Sequence, residues 1–240
     1  MVFEPSAIDA VVFDIGGVFL VPHPDPVREA LAPVGVALLD DDAFHRAHYR
    51  GAHAVAALAI DESDPAFWMH YVAVYLREIG VEESLHEACT AAWPVMNDRP
   101  VHEVWRWAQQ HNIDALARFV AASMPLAIVS NNDGTAPEQM RAFAVCQVGA
   151  GPYVSVAAIV DSGAVGVAKP DPAIFRPALD ALGTAAARTL YVGDMVHADV
   201  RGAHAAGMPV VQIDPYDYHE GFAHARVPHL DALADLLFAS

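Results

Sequence analysis

The sequence predicts an α/β fold, a parallel sheet with a helical insertion after its first strand. Two observations predict it. Short apolar runs bounded by turn formers recur at Asp9–Phe13, Leu126–Ser130, Ala157–Val160, Thr189–Val192 and Pro209–Ile213, and the last four alternate with helical or loop stretches. The long stretch between the first run and the second carries helical periodicity and no strong strand signal.

The insertion is expected to run from Pro22 to Asp98 (22–98), leaving 1–21 and 99–240 for the sheet domain. Asp64 and Pro65 open a helix with Phe67, Trp68, Tyr71, Val72, Tyr75, Leu76 and Ile79 on one stripe, closed by Gly80. That stripe reads as packing. Further helices are expected over about 82–93 and 101–111. In the sheet domain, Pro172–Leu182 has Asp171 as a plausible N-cap and Gly183 at its end, and Asp199–Ala206 stops at Gly207.

Composition bounds the function. Hydrophobic residues make up 55% and charged residues 18%, as in a globular chain. No apolar run of about 18 residues predicts a membrane span. The N-terminal MVFEPSAIDA lacks the basic region of a signal peptide, so a cytoplasmic chain is expected. Cys89 and Cys146 then read as reduced thiols. A net charge of −17 argues against nucleic acid and anionic membranes as partners. A phosphate site in such a chain needs a local cation. The 13 basic residues are 12 arginines and one lysine, Lys169, in VAKPDP. GC-rich coding explains why lysine is scarce but not where the one lysine stands. A site needing a compact charge on a flexible stem would resist arginine.

Four predicted strands end on polar groups: Asp14 after the first, Ser130 with Asn131 and Asn132 after the second, Lys169 beyond the third, and Asp194 after the fourth, with Asp199 five residues later. A parallel sheet brings these ends to one edge, where ligands bind. One acid there would read as a cap; four such groups together do not. They suit a phosphoryl group. Carboxylates at the first and fourth ends suit Mg²⁺, Asp14 is placed to attack phosphorus, Ser130 and backbone N–H groups to hold its oxygens, and Lys169 to neutralise charge. Gly16 and Gly17 allow a tight turn against the phosphate.

FDIGGV, VSNN, AKPDPAIF and VGDMVHADVRGAHAAGM, in that order, resemble the four motifs of the haloacid dehalogenase superfamily, and the resemblance covers both ends of the chain. It implies a Rossmann-like core with a helical cap inserted after motif one. It also implies Asp14 as nucleophile, Ser130 and Lys169 as its catalytic partners, and Gly17 and Asn131 beside the phosphate. Mg²⁺ would be held by Asp14, the Gly16 carbonyl, Asp194 and, directly or through water, Asp199. The substrate implied is a small phosphorylated molecule.

The sequence departs from that family at Gly16, where phosphatases carry the aspartate that protonates the leaving oxygen. A positioned acid is worth roughly 10²–10⁴-fold. Three readings follow. A phosphatase could draw the proton from His23 or Asp25 in VPHPDP, or from water; some relatives with glycine here resemble sugar-phosphate phosphatases. A metal-independent 2-haloacid dehalogenase also lacks this aspartate, but is not expected to keep both acids of GDMVHAD. A non-catalytic phosphate-binding or interaction protein would have kept the fold alone. A phosphonate-cleaving relative would need a cap lysine, and the insertion has none. Within the insertion, FHRAHYRGAH gathers His45, Arg46, His48, Tyr49, Arg50 and His53. It reads either as a polar helix face broken at Gly51 or as a surface where Arg46 or Arg50 meets the leaving group. His219 and His224 stand isolated in YDYHEGFAH, and no pattern sets an oligomeric state.

Overall fold

A computed structural model of the chain describes residues 3–36, 40–58, 60, 64–93 and 99–239. The chain divides into two compact units, Met1–Leu20 with Ala108–Ser240, and Val21–Trp107. Asp98, the expected end of the insertion, lies outside the described residues.

The first unit is built on a six-stranded sheet. Its strands are β1 (Ala10–Phe13), β2 (Leu126–Ser130), β3 (Ile159–Asp161), β4 (Thr189–Gly193), β5 (Val210–Ile213) and β6 (Ala225–Val227). Their order across the sheet is β6-β5-β4-β1-β2-β3, and every pairing is parallel. This is a doubly wound order that reverses between β1 and β4, the place where such sheets bind ligands. β1, β2, β4 and β5 are buried along their whole length, so they read as continuous apolar runs. The expected strands appear with ends shifted by one or two residues. β6 was not expected: ARV is too short and too polar to stand out.

The helices Gln110–Ala121 and Leu230–Phe238 pack together in this unit. Phe119 meets Phe13 and Phe238 edge to face at 5.5 and 5.4 Å. The buried Asn112 ties them further: its Nδ2 donates to the Val18 carbonyl and its Oδ1 accepts from the Leu230 N–H. The expected helix over 101–111 is not there. One helical turn, Val101–Val104, gives way to a strand, Trp105–Ala108, which pairs with Leu20–Pro22. Trp105 leaves the helical region at ψ 78°, and the two large aromatics of WRWA favour extended backbone.

The second unit is helical. Asp41–Ala56 packs against Pro65–Glu78. Asp40 and Asp64 cap them by accepting from the Ala43 and Ala66 N–H groups. The aromatic stripe is buried as expected except at half-buried Trp68. Gly51 corrects the sequence reading. It does not break its helix; a Cβ there would stand 2.7 Å from the Tyr71 ring, so glycine lets the two helices close. Gly51→Val should therefore destabilise by about 1–3 kcal/mol by overpacking, despite its better helix propensity. Urea unfolding measures this, and an unchanged midpoint would show the contact to be slack.

Candidate active site

All four polar strand ends belong to the first unit, and they meet. The Lys169 ammonium is buried, 2.9 Å from Asp14 Oδ2 and 2.7 Å from Asp199 Oδ1. Its third contact is the Tyr191 hydroxyl at 2.9 Å. An ammonium has three protons, and each faces an acceptor. Asp14, Asp194 and Asp199 bring carboxylate oxygens within 4.8 Å of one another, all buried. Three acids therefore cluster beside one basic side chain, which pairs with two of them.

Electrostatics follow from that count. Burial pushes the Asp14 carboxyl up to about 7; the Lys169 ammonium opposes this, the Asp199 charge adds to it, the Ser130 hydroxyl opposes it and Asp194 adds again. Burial alone would lower Lys169, but the Asp14 and Asp199 carboxylates outweigh it and hold the ammonium charged. Burial, then the Asp199 charge, keeps the Tyr191 phenol protonated. Asp14 Oδ1 is buried and has no hydrogen-bond partner among the described residues.

Several expected residues have sharper tasks than the sequence indicated. Asp199 is fully engaged by the protein. Its Oδ1 accepts from Lys169 and Tyr191, and its Oδ2 from the N–H groups of Asp194 and Met195 at 3.0 and 2.8 Å. A wide π-helical turn, Val196–Val200, carries Asp199 back to the strand end, where a plain helix start was expected. Asn131 spends its side-chain amide on Lys169: Nδ2 donates to the Lys169 carbonyl and Oδ1 accepts from its N–H. Ser130 is buried at the end of β2 beside Asp14.

The two glycines after β1 differ. Gly17 has φ 64°, and a Cβ on it would overlap the Asp194 carboxylate, so the fold demands glycine there. Gly16 is half-buried and is not among the positive-φ glycines, so its φ does not require glycine.

The remaining candidates lie in the second unit. His23 caps Pro24–Leu31: its Nδ1 accepts from the Asp25 N–H, which leaves the proton on Nε2. Its ring meets Trp107 edge to face. Asp25 is exposed near Arg28. Arg46 lies 3.8 Å from Glu78, and Arg50 is exposed. His48 is buried, its Nδ1 2.8 Å from the Tyr71 hydroxyl.

Two residues carry parts that the sequence did not announce. Tyr191 is an interior strand residue that looks like core until its hydroxyl is placed. Asp161 ends β3 as the other acids end theirs, and that position was its signal. Its carboxylate accepts from the N–H groups of Gly134, Ala136 and Gly163, pinning the loop after β2.

Residues 8–207 match the family model of haloacid dehalogenase-like hydrolases. The phosphoglycolate phosphatase of Thiobacillus denitrificans is 26% identical over 226 residues, covering 90% of this chain and 87% of that protein. The phosphoserine phosphatase of Thermus thermophilus is 46% identical over 67 residues, 28% of this chain and 27% of its own length. A HAD phosphatase from Thermococcus onnurineus superposes with TM-score 0.54 at 18% identity, covering 96% of this chain and 98% of that one. A magnesium-bound HAD hydrolase from Bacillus subtilis does so with TM-score 0.60 at 17% identity, covering 96% and 99%. At such identities these structures speak for the fold alone. With motifs, sheet order and family match in agreement, the chain belongs to the haloacid dehalogenase-like hydrolases.

Proposed function

We propose that the protein is a Mg²⁺-dependent phosphatase of a small phosphorylated molecule, working through an aspartyl phosphate on Asp14. The observation that carries this is the buried meeting of Asp14, Asp194 and Asp199 around Lys169. Three carboxyl groups gathered about one ammonium leave an excess of acid, which a divalent cation offsets. Asp14 Oδ1, buried without a hydrogen-bond partner among the described residues, supplies an open ligand atom of the hard oxygen type that Mg²⁺ takes. The residues therefore fit the ion. Asp14, Asp194 and the Gly16 carbonyl would hold it, with Asp199 serving instead to anchor Lys169 and the Asp194 loop. When bound, the ion supplies charge neutralisation between the Asp14 carboxylate and a phosphate dianion.

The chain's own groups then divide the work. The Asp14 carboxylate attacks phosphorus; a carboxylate–phosphorus bond forms as the ester P–O bond breaks, and the leaving oxygen departs with its electron pair. Lys169 and the Ser130 hydroxyl stabilise the charge on the phosphoryl oxygens. Water then attacks phosphorus, freeing orthophosphate and restoring the carboxylate. The leaving oxygen must be protonated or be a good anion, because Gly16 supplies no acid. The helical insertion, residues 22–98, we assign the part of a substrate-selecting cap. Two acids beside Asp14 favour this reading over a metal-independent dehalogenase. The phosphatase names of the relatives point the same way.

Aryl phosphates, whose leaving groups need no acid, should be turned over with Mg²⁺. Activity should vanish with EDTA and fall by about 10³-fold or more in Asp14→Asn. No phosphate release with or without metal would sink the proposal. Gly16→Asp should raise turnover of alkyl phosphates by roughly 10²–10⁴-fold while leaving aryl phosphates little changed; equal effects on both classes would show that proton supply is not what is missing. In a screen of phosphorylated metabolites, Arg50→Ala should raise KM for the best substrate about 10-fold or more, the worth of one charged contact, and spare small aryl phosphates. An unchanged KM would remove Arg50 from the substrate surface.

A further inference from the structure

Three buried or half-buried polar residues that the proposed chemistry does not use, Gln212, His219 and His224, form one network that ends on the Asp194 main chain. Gln212 is fully buried in β5. Its Nε2 donates to the Asp194 carbonyl at 2.7 Å and lies 3.3 Å from His219 Nε2. Its Oε1 lies 2.6 Å from His224 Nε2.

Donor and acceptor chemistry fixes the rest. An amide nitrogen only donates and its oxygen only accepts. His219 Nε2 is therefore the acceptor and carries its proton on Nδ1, which faces Asp214 Oδ2 at 3.5 Å. His224 Nε2 is the donor. Burial above all, with the Arg226 charge adding, pushes His224 down to about 4, so it stays neutral. Asp214 in turn accepts from the Tyr218 and His219 N–H groups and lies 3.4 Å from Arg226 Nε.

Every polar atom of the Gln212 amide is thus engaged, and the amide cannot flip without setting its oxygen against the Asp194 carbonyl. Core packing does not ask for this; methionine would fill the same length without burying an amide. What the amide does is local. The Asp194 N–H is held by Asp199 Oδ2 at 3.0 Å, and its C=O by Gln212 at 2.7 Å. The residue is gripped on both sides of its side chain.

We propose that Gln212, oriented by His219 and His224, is a positioning residue that fixes Asp194 for cation binding; this rests on the reading of Asp194 as a magnesium ligand. Partners of this outer kind are typically worth 10–100-fold in metal affinity. The test is Mn²⁺ binding, read from the free-ion spin-resonance signal, in wild type, Gln212→Met and His224→Leu, beside thermal unfolding of each metal-free protein. Gln212→Met should weaken Mn²⁺ binding about 10–100-fold, and His224→Leu should weaken it less. A purely structural role would lower the unfolding midpoint and leave Mn²⁺ affinity at the wild-type value. Should Gln212→Met fail to fold, the half-buried His224→Leu carries the test alone. Folded variants with wild-type affinity overturn the proposal and leave the magnesium reading standing. A wild-type protein that binds no Mn²⁺ overturns that reading and this proposal with it.

Discussion

The ammonium of Lys169, buried between Asp14 and Asp199 and capped by Tyr191, is the contact on which the rest of the site depends. A lone buried ammonium would be neutralised by desolvation, and lone buried carboxylates would take up protons. Each is tolerated only because of the others. Removing one partner of such a group typically costs 3–5 kcal/mol, because a charge is left buried and unpaired. Much of the surrounding sequence serves this arrangement. Asn131 fixes the Lys169 main chain from the end of β2, and the Val196–Val200 turn brings Asp199 to the end of β4.

Sheet order makes the meeting possible. β1 lies between β2 and β4, so Asp14 has Ser130 on one side and Asp194 on the other. All strands run the same way, so their C-terminal ends share one edge. Lys169 is the member not at a strand end. It lies eight positions beyond Asp161 in a loop, and needs the Asn131 clasp for that reason.

The strands, the helical insertion and the convergence of Asp14, Lys169, Asp194 and Asp199 were legible in the sequence because they follow local pattern. Apolar runs mark buried parallel strands, and a polar residue closing each run marks the edge. What was not legible depends on tertiary partners. WRWA extends because it pairs with Leu20–Pro22, more than 80 positions away. The hydrogen bonds of Asn131 to the Lys169 main chain and of Asp199 to the Asp194 and Met195 N–H groups were not legible, since no spacing tells which backbone groups a side chain will meet. Tyr191 and Gln212 sit inside apolar strands and look like core. His219 and His224 looked isolated because their link to the site passes through Gln212.

Gly16 and Gly17 now stand apart. Gly17 is imposed by the fold, by its φ of 64° and by the Asp194 carboxylate where a side chain would begin. Gly16 is under no backbone constraint of that kind. The charge count gives a physical reason why an acid can be dispensed with there. Three carboxylates already crowd beside one ammonium, and burial with two neighbouring carboxylates holds Asp14 up near 7. A fourth carboxylate would raise Asp14 further. Glycine keeps the carbonyl and spares Asp14 that repulsion, and under the proposed phosphatase reading it gives up a proton, a trade that would favour substrates whose leaving group departs as a stable anion or meets its proton from another part of the chain.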